Sequence, residues 1–158
     1  MHPLLSVGGW GGSQFFSSAV ATAANRTAFA QAVMKAVEKY ELHGVEFEYV
    51  CFRDFWESCL LIFDHSWEYP GEQGIGCNIV STNDSVNFLS FLHTLRSMSG
   101  PNLTISAAVP ITPYVGPDGE PLTDVSGFGQ VLDYIGSCFD DVNFRGNSLM
   151  SHRRNHEL

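Results

Sequence analysis

The stretch His43-Gly44-Val45-Glu46-Phe47-Glu48 alternates apolar and acidic residues from Val45 onward. That period of two belongs to a β-strand and not to a helix. Val45 and Phe47 then share one face, and Glu46 and Glu48 share the other. Two readings of the acids stand side by side. Either they point together into a barrel, where unpaired carboxylates are costly, or they face water from a solvated edge strand. The alternation alone does not choose between them.

Working outward, Leu4-Leu5-Ser6-Val7 reads as a short buried strand, ended by Gly8-Gly9-Trp10-Gly11-Gly12. A helix is expected between the two strands, with Asn25 as N-cap and Phe29, Val33, Val37 and Tyr40 on one face. Gly44 would end it. A second helix begins in the serine-rich cluster at 81–85, carries Phe88, Leu92, Leu95 and Met98, and stops at Gly100-Pro101. Residues 103–109 form the next strand, 110–119 a loop, and a helical turn runs from Phe128 into Val131-Leu132-Asp133-Tyr134-Ile135. Strand, helix, strand, helix, strand is the rhythm of a parallel α/β fold.

The bulk numbers bound what such a fold can be. At 158 residues the chain holds one domain with a real core, but falls short of the about 250 residues of a full eight-fold β/α barrel. A 44% apolar and 16% charged composition is globular. The net charge of −9 argues against nucleic acid or an anionic membrane as partner. No apolar run is long enough to span a bilayer, and Met1-His2-Pro3 leads into a strand where a secretory signal would stand. Sequons at Asn25, Asn83 and Asn102 nonetheless hint at a secreted parent. Cys51, Cys59, Cys77 and Cys138 lack metal-ligand spacing, so neither metal nor cofactor is expected.

Ser6-Val7-Gly8-Gly9-Trp10 resembles the S-x-G-G motif on the third barrel strand of family 18 glycoside hydrolases. His43 to Glu48, continued by Trp67-Glu68-Tyr69-Pro70-Gly71, resembles that family's D-x-x-D-x-D-x-E signature on the fourth strand. Gln73-Gly74-Ile75-Gly76-Cys77-Asn78 and Asn87-Phe88-Leu89-Ser90-Phe91-Leu92 are similar to the stretch that follows in fungal chitinases. The resemblance implies an extracellular parent that cleaves β-1,4-linked N-acetylglucosamine in chitin or chito-oligosaccharides, by retaining, substrate-assisted hydrolysis. It also implies roles. Glu68 would protonate the leaving oxygen, Glu48 would orient the acetamide, and Glu46 would share charge with it. Ser6 would support the acids, Gly8 and Gly9 would leave room for the sugar, and Trp10 and Tyr69 would contact it.

The chain departs from that pattern in three places. His43 replaces the first Asp of the signature, or is simply a partly exposed histidine at a helix end. Eighteen residues, 49–66, separate Glu48 from Trp67 where the family has none. The third departure is the tail, 136–158, which looks unrelated to the family and is expected to be disordered. Both anomalous segments read as translated introns. An intron opening with GT at the third base of a GAG codon for Glu48 and closing with AG inside the Ser66 codon spans a whole number of codons. Its removal joins GA to C or T and gives Asp, restoring F-D-W-E-Y-P. A second, opening in the Gly136 codon and closing in the Arg154 codon, shifts the frame so that the text can continue E-I-M-N. The competing reading is a genuine insertion loop and a divergent tail.

The resulting expectation is a partial (β/α)8 barrel, holding roughly strands three to six over residues 1–135, interrupted at 49–66 and inactive as written. Its alternative is a chitinase-like carbohydrate-binding protein without catalysis. A further rival is an interaction fragment whose Phe52, Phe55, Trp56 and Phe63 pack on a partner.

Overall fold

The computed structural model describes residues 2–8, 12–48, 79–108, 114–136 and 141–143. Strand β1 (Leu4–Gly8) leads through helices α1 (Phe16–Val20) and α2 (Ala23–Lys39) to β2 (Gly44–Glu48). Then follow α3 (Asp84–Ser99), β3 (Thr104–Ala108), α4 (Ser126–Val131), β4 (Tyr134–Gly136) and β5 (Asp141–Asn143). The described strands make one sheet in chain order, with β1 to β4 parallel and β5 antiparallel to β4. Parallel neighbours need long crossovers, and the helices lie in them.

The sheet is two-sided in chemistry. Val45 and Phe47 of β2 and Ile105 and Ala107 of β3 are buried in one core with Val33 and Val37 of α2 and Phe88, Phe91, Leu92 and Leu95 of α3. Phe47 is 4% exposed. Its ring meets Phe91 edge-on at 5.2 Å, Phe88 at 5.9 Å and Phe29 at 6.3 Å. Phe29 in turn stacks on Phe91 at 4.7 Å, and Phe128 of α4 extends the cluster from Phe88 to Tyr114. Offset and edge-on pairs of this kind add to the burial of the rings themselves.

Polar ties hold the sheet's other joints. Asp133, just before β4, accepts the Ile105 N–H at 2.9 Å and donates its own N–H to the Ile105 carbonyl at 2.8 Å. Arg96 of α3 pairs with the same carboxylate at 2.9 Å and donates to the carbonyls of Val131 and Leu103. At the start of α3, the Ser17 hydroxyl and the Ser81 N–H donate to the two oxygens of Asp84 at 2.7 and 2.8 Å. Burial pushes the Asp84 carboxyl above its usual range, while those two hydrogen bonds pull the other way.

Several sequence expectations are corrected. Thr22, not Asn25, caps α2: its backbone is extended and its Oγ1 accepts the Asn25 N–H at 3.1 Å. Asn25 already lies inside the helix, and its Nδ2 donates to the Ser18 carbonyl at 2.9 Å. Tyr40 and Met98 are exposed, because the helix stripe leaves the core at its last turn. Gly44 does not end the helix; the chain turns at Glu41, with φ of 52°, and Gly44 opens β2. A Cβ at Gly44 would run into the Thr104 carbonyl and come within 2.7 Å of Leu4 Cδ2, so strand pairing demands glycine there.

Helix α1 was not foreseen. The turn read as helical through Ile135 stops at Val131, because Leu132 is extended and Asp133 locks the chain onto β3. The tail was expected to be disordered from residue 136. Of that tail, the described residues are Gly136, which completes β4, and Asp141–Asn143, which pairs back on it and occupies backbone groups that an edge strand leaves open. The insert at 49–66 and the end of the tail lie outside the described residues.

Two substitutions test this account. Phe47→Ala should lower unfolding free energy by about 3–5 kcal/mol through loss of the ring and the cavity left behind, read from a denaturant midpoint. Asp133→Ala should cost about 3 kcal/mol or more, because it strands the Arg96 guanidinium in a partly buried site, read the same way.

Candidate active site

Because Val45 and Phe47 are committed to the helices, Glu46 takes the opposite face. Parallel register sets its neighbours. Ser6 of β1 and Ser106 of β3 flank Glu46 on either side, and Tyr134 of β4 extends the rung. Ser106 is buried and Glu46 partly so. One step toward the C-terminal end, Gly8 pairs with Glu48, the last residue of β2. Gly8 has φ of 113°, a backbone region that side-chain-bearing residues rarely adopt. The same face carries the exposed side chains of Leu4 (43%) and Tyr134 (45%), with no helix packed over them among the described residues.

Of the residues singled out from sequence, the structure thus brings Ser6, Gly8 and Glu46 together and pairs the backbone of Glu48 with them. Gly9, Trp10, Glu68 and Tyr69 lie outside the described residues. His43 is exposed just before β2, where its N–H donates to the Pro3 carbonyl and its ring sits edge-on to His2 at 4.7 Å. Ser106 was missed. The signal was present: in Thr104-Ile105-Ser106-Ala107 the polar residues alternate as in β2, which places Ser106 on the face of Glu46. Among the described residues, no three metal-binding side chains cluster, and no helix is long and apolar enough to cross a membrane.

A carboxylate such as that of Glu46, on the helix-free face near the C-terminal end of a parallel β/α sheet, lies where β/α-barrel enzymes keep their chemistry. The family model for glycosyl hydrolases family 18 matches residues 1–142, and the chain belongs to that family. A chitinase-like effector of Moniliophthora roreri is 42% identical over 130 residues, covering 82% of this chain and 27% of its own length. Endochitinase 1 of Metarhizium robertsii is 25% identical over 98% of this chain and 31% of its length. Among solved structures, a chitinase from Rhizomucor miehei superposes with a TM-score of 0.68 at 26% identity, over 86% of this chain and 32% of that one. The chain therefore spans about a quarter to a third of the relatives it matches.

Gly8→Ala should cost about 1–3 kcal/mol, because the alanine must adopt a strained backbone at the rung beside Glu48. A denaturant midpoint equal to that of the unsubstituted chain would contradict the assignment.

Proposed function

We propose that β1 to β4 are strands three to six of an eight-stranded barrel, and that the parent protein is an extracellular chitinase acting on chitin or chito-oligosaccharides. One observation carries this reading: Ser6, Glu46 and Ser106 form a polar rung on the helix-free face, with Glu48 one step beyond it, in a chain of family 18. The exposure of Leu4 and Tyr134 on that face supports it further, since parallel sheets are ordinarily covered on both sides. The missing barrel strands would provide the cover. An acidic chain suits a neutral sugar better than nucleic acid or an anionic bilayer.

In the complete site, Glu68 donates its proton to the glycosidic oxygen as the C–O bond to the leaving sugar breaks. The substrate's acetamide oxygen attacks the anomeric carbon and forms an oxazolinium ion. Water, deprotonated by the same Glu68, then opens that ring with retention of configuration. The acid at position 48, Glu48 in this chain and Asp once the intron is removed, accepts a hydrogen bond from the acetamide N–H and offsets the cation's charge. Glu46, flanked by Ser6 and Ser106, raises the cost of a second negative charge nearby and so favours the protonated acid. No metal or cofactor enters the scheme.

The insert at 49–66 breaks the spacing that would align Glu68 with Glu48, and we read it, like the tail segment, as unspliced intron. The chain as written is expected to show no turnover of a fluorogenic chitobioside; measurable hydrolysis would refute this. Sequencing the transcript across codons 48–67 and 135–158 decides the origin of the segments. Messages reading F-D-W-E-Y-P and D-Y-I-E-I-M-N support the intron reading, and unspliced messages alone overturn it.

A second reading is favoured by one finding, the relative at 42% identity described as a chitinase-like effector. In it the parent holds chito-oligosaccharides without cleaving them. Calorimetric binding of chitotetraose by the full-length parent, with no reducing ends released, would establish that reading in place of catalysis.

A further inference from the structure

The three sequons differ in what the fold has done with them. Asn83-Asp84-Ser85 opens α3, where Asp84 and Ser85 are buried and the Asp84 carboxylate is held by Ser17 and Ser81. Asn25-Arg26-Thr27 lies in the first turns of α2, where the Asn25 amide donates to the Ser18 carbonyl and Arg26 bridges the Val20 carbonyl and Asn87. Asn25 and Arg26 are thus engaged in fastening helices, whereas Asn83 itself is exposed and its side chain makes no capping hydrogen bond. In Asn102-Leu103-Thr104, Asn102 sits at the exposed tip of the turn between α3 and β3. No hydrogen bond among the described residues uses its side chain.

The turn's shape is held from elsewhere. Arg96 Nη1 donates to the carbonyls of Gly100 and Leu103, at 3.2 and 2.6 Å, on the two sides of Asn102. The Leu103 side chain is buried and Thr104 begins β3, so the anchor points lie on either side of a free-standing amide. The tip is also at the N-terminal end of β3, while Glu48 stands at the C-terminal end of its parallel neighbour β2. A bulky group on Asn102 would extend into solvent without crossing the candidate site.

We propose that Asn102 is an attachment site for an N-linked glycan. In the reaction, Nδ2 of Asn102 attacks the anomeric carbon of a lipid-pyrophosphate-linked oligosaccharide. The C–N bond forms, the sugar–pyrophosphate C–O bond breaks, one amide proton passes to solvent, and the lipid pyrophosphate leaves. The glycan covers a surface turn and solubilises it. The inference rests on the parent's entering the secretory route, and the test separates the two.

The full chain, fused to a cleavable leader, is translated in a cell-free extract with microsomal membranes and examined by gel mobility before and after treatment with an N-glycosidase. The expected result is a glycosidase-sensitive shift that loses one glycan step in Asn102→Gln. Thr104→Ala, which removes the sequon while keeping Asn102, should behave as Asn102→Gln does. A chain with no shift, or one whose number of glycan steps is unchanged in Asn102→Gln, overturns the proposal. Because the leader is supplied and modification precedes folding, neither misfolding nor the natural destination of the protein can produce these outcomes.

Discussion

Phe47 lies beneath α2 and α3 with its ring edge-on to Phe91 and Phe88, and the rest of the molecule is arranged around that fixed point. A strand residue buried this firmly leaves its neighbours no choice of side. A slip of one residue would put two carboxylates into an aromatic core, at a cost of several kcal/mol per buried charge. The hydrophobic cluster therefore does two things. It attaches the helices to the sheet, and it dictates that Glu46 takes the opposite face. Core packing and placement of that acid are one constraint seen from two sides.

The two ends of the strands carry different work. At the N-terminal end, Arg96 and Asp133 join α3, β3 and β4 through an ion pair and hydrogen bonds to the backbone of Leu103, Ile105 and Val131, and Gly44 lets β1, β2 and β3 approach closely. At the C-terminal end, β1 stops at Gly8 with an unusual backbone and β2 stops at Glu48. Stabilising contacts below and reactive groups above is the division that β/α barrels use. It allows the loops after the strands to vary while the base of the sheet stays in register.

Much of this was legible from the chain itself. The alternation Val45-Glu46-Phe47-Glu48 gave the strand, and the stripe of Phe29, Val33 and Val37 gave the helix before it. Gly100-Pro101 marked the end of α3. The failures have specific causes. Thr22 and Asn25 are both good N-caps, and only the extended backbone at Thr22 separates them. Tyr134 and Ile135 fit a helical period as well as a strand, and Asp133's bonds to Ile105 decided for the strand. Ser106 carried no motif, so it stayed unnoticed until register placed it beside Glu46.

By itself the sequence determined which residues could share a face, because periodicity is a local property of the backbone. That was enough to pair Glu46 with Glu48 and to connect the chain to family 18 through its two motifs in order. It could not determine which way the acids faced, since an outward edge strand has the same alternation as an inward one. Tertiary structure decided that, by setting β2 between β1 and β3 and filling its apolar face with Phe88, Phe91 and Phe29. The same holds for Gly44, Ser106 and Asp133. Their roles come from residues distant in sequence, and only the pairing of strands brings those partners within reach.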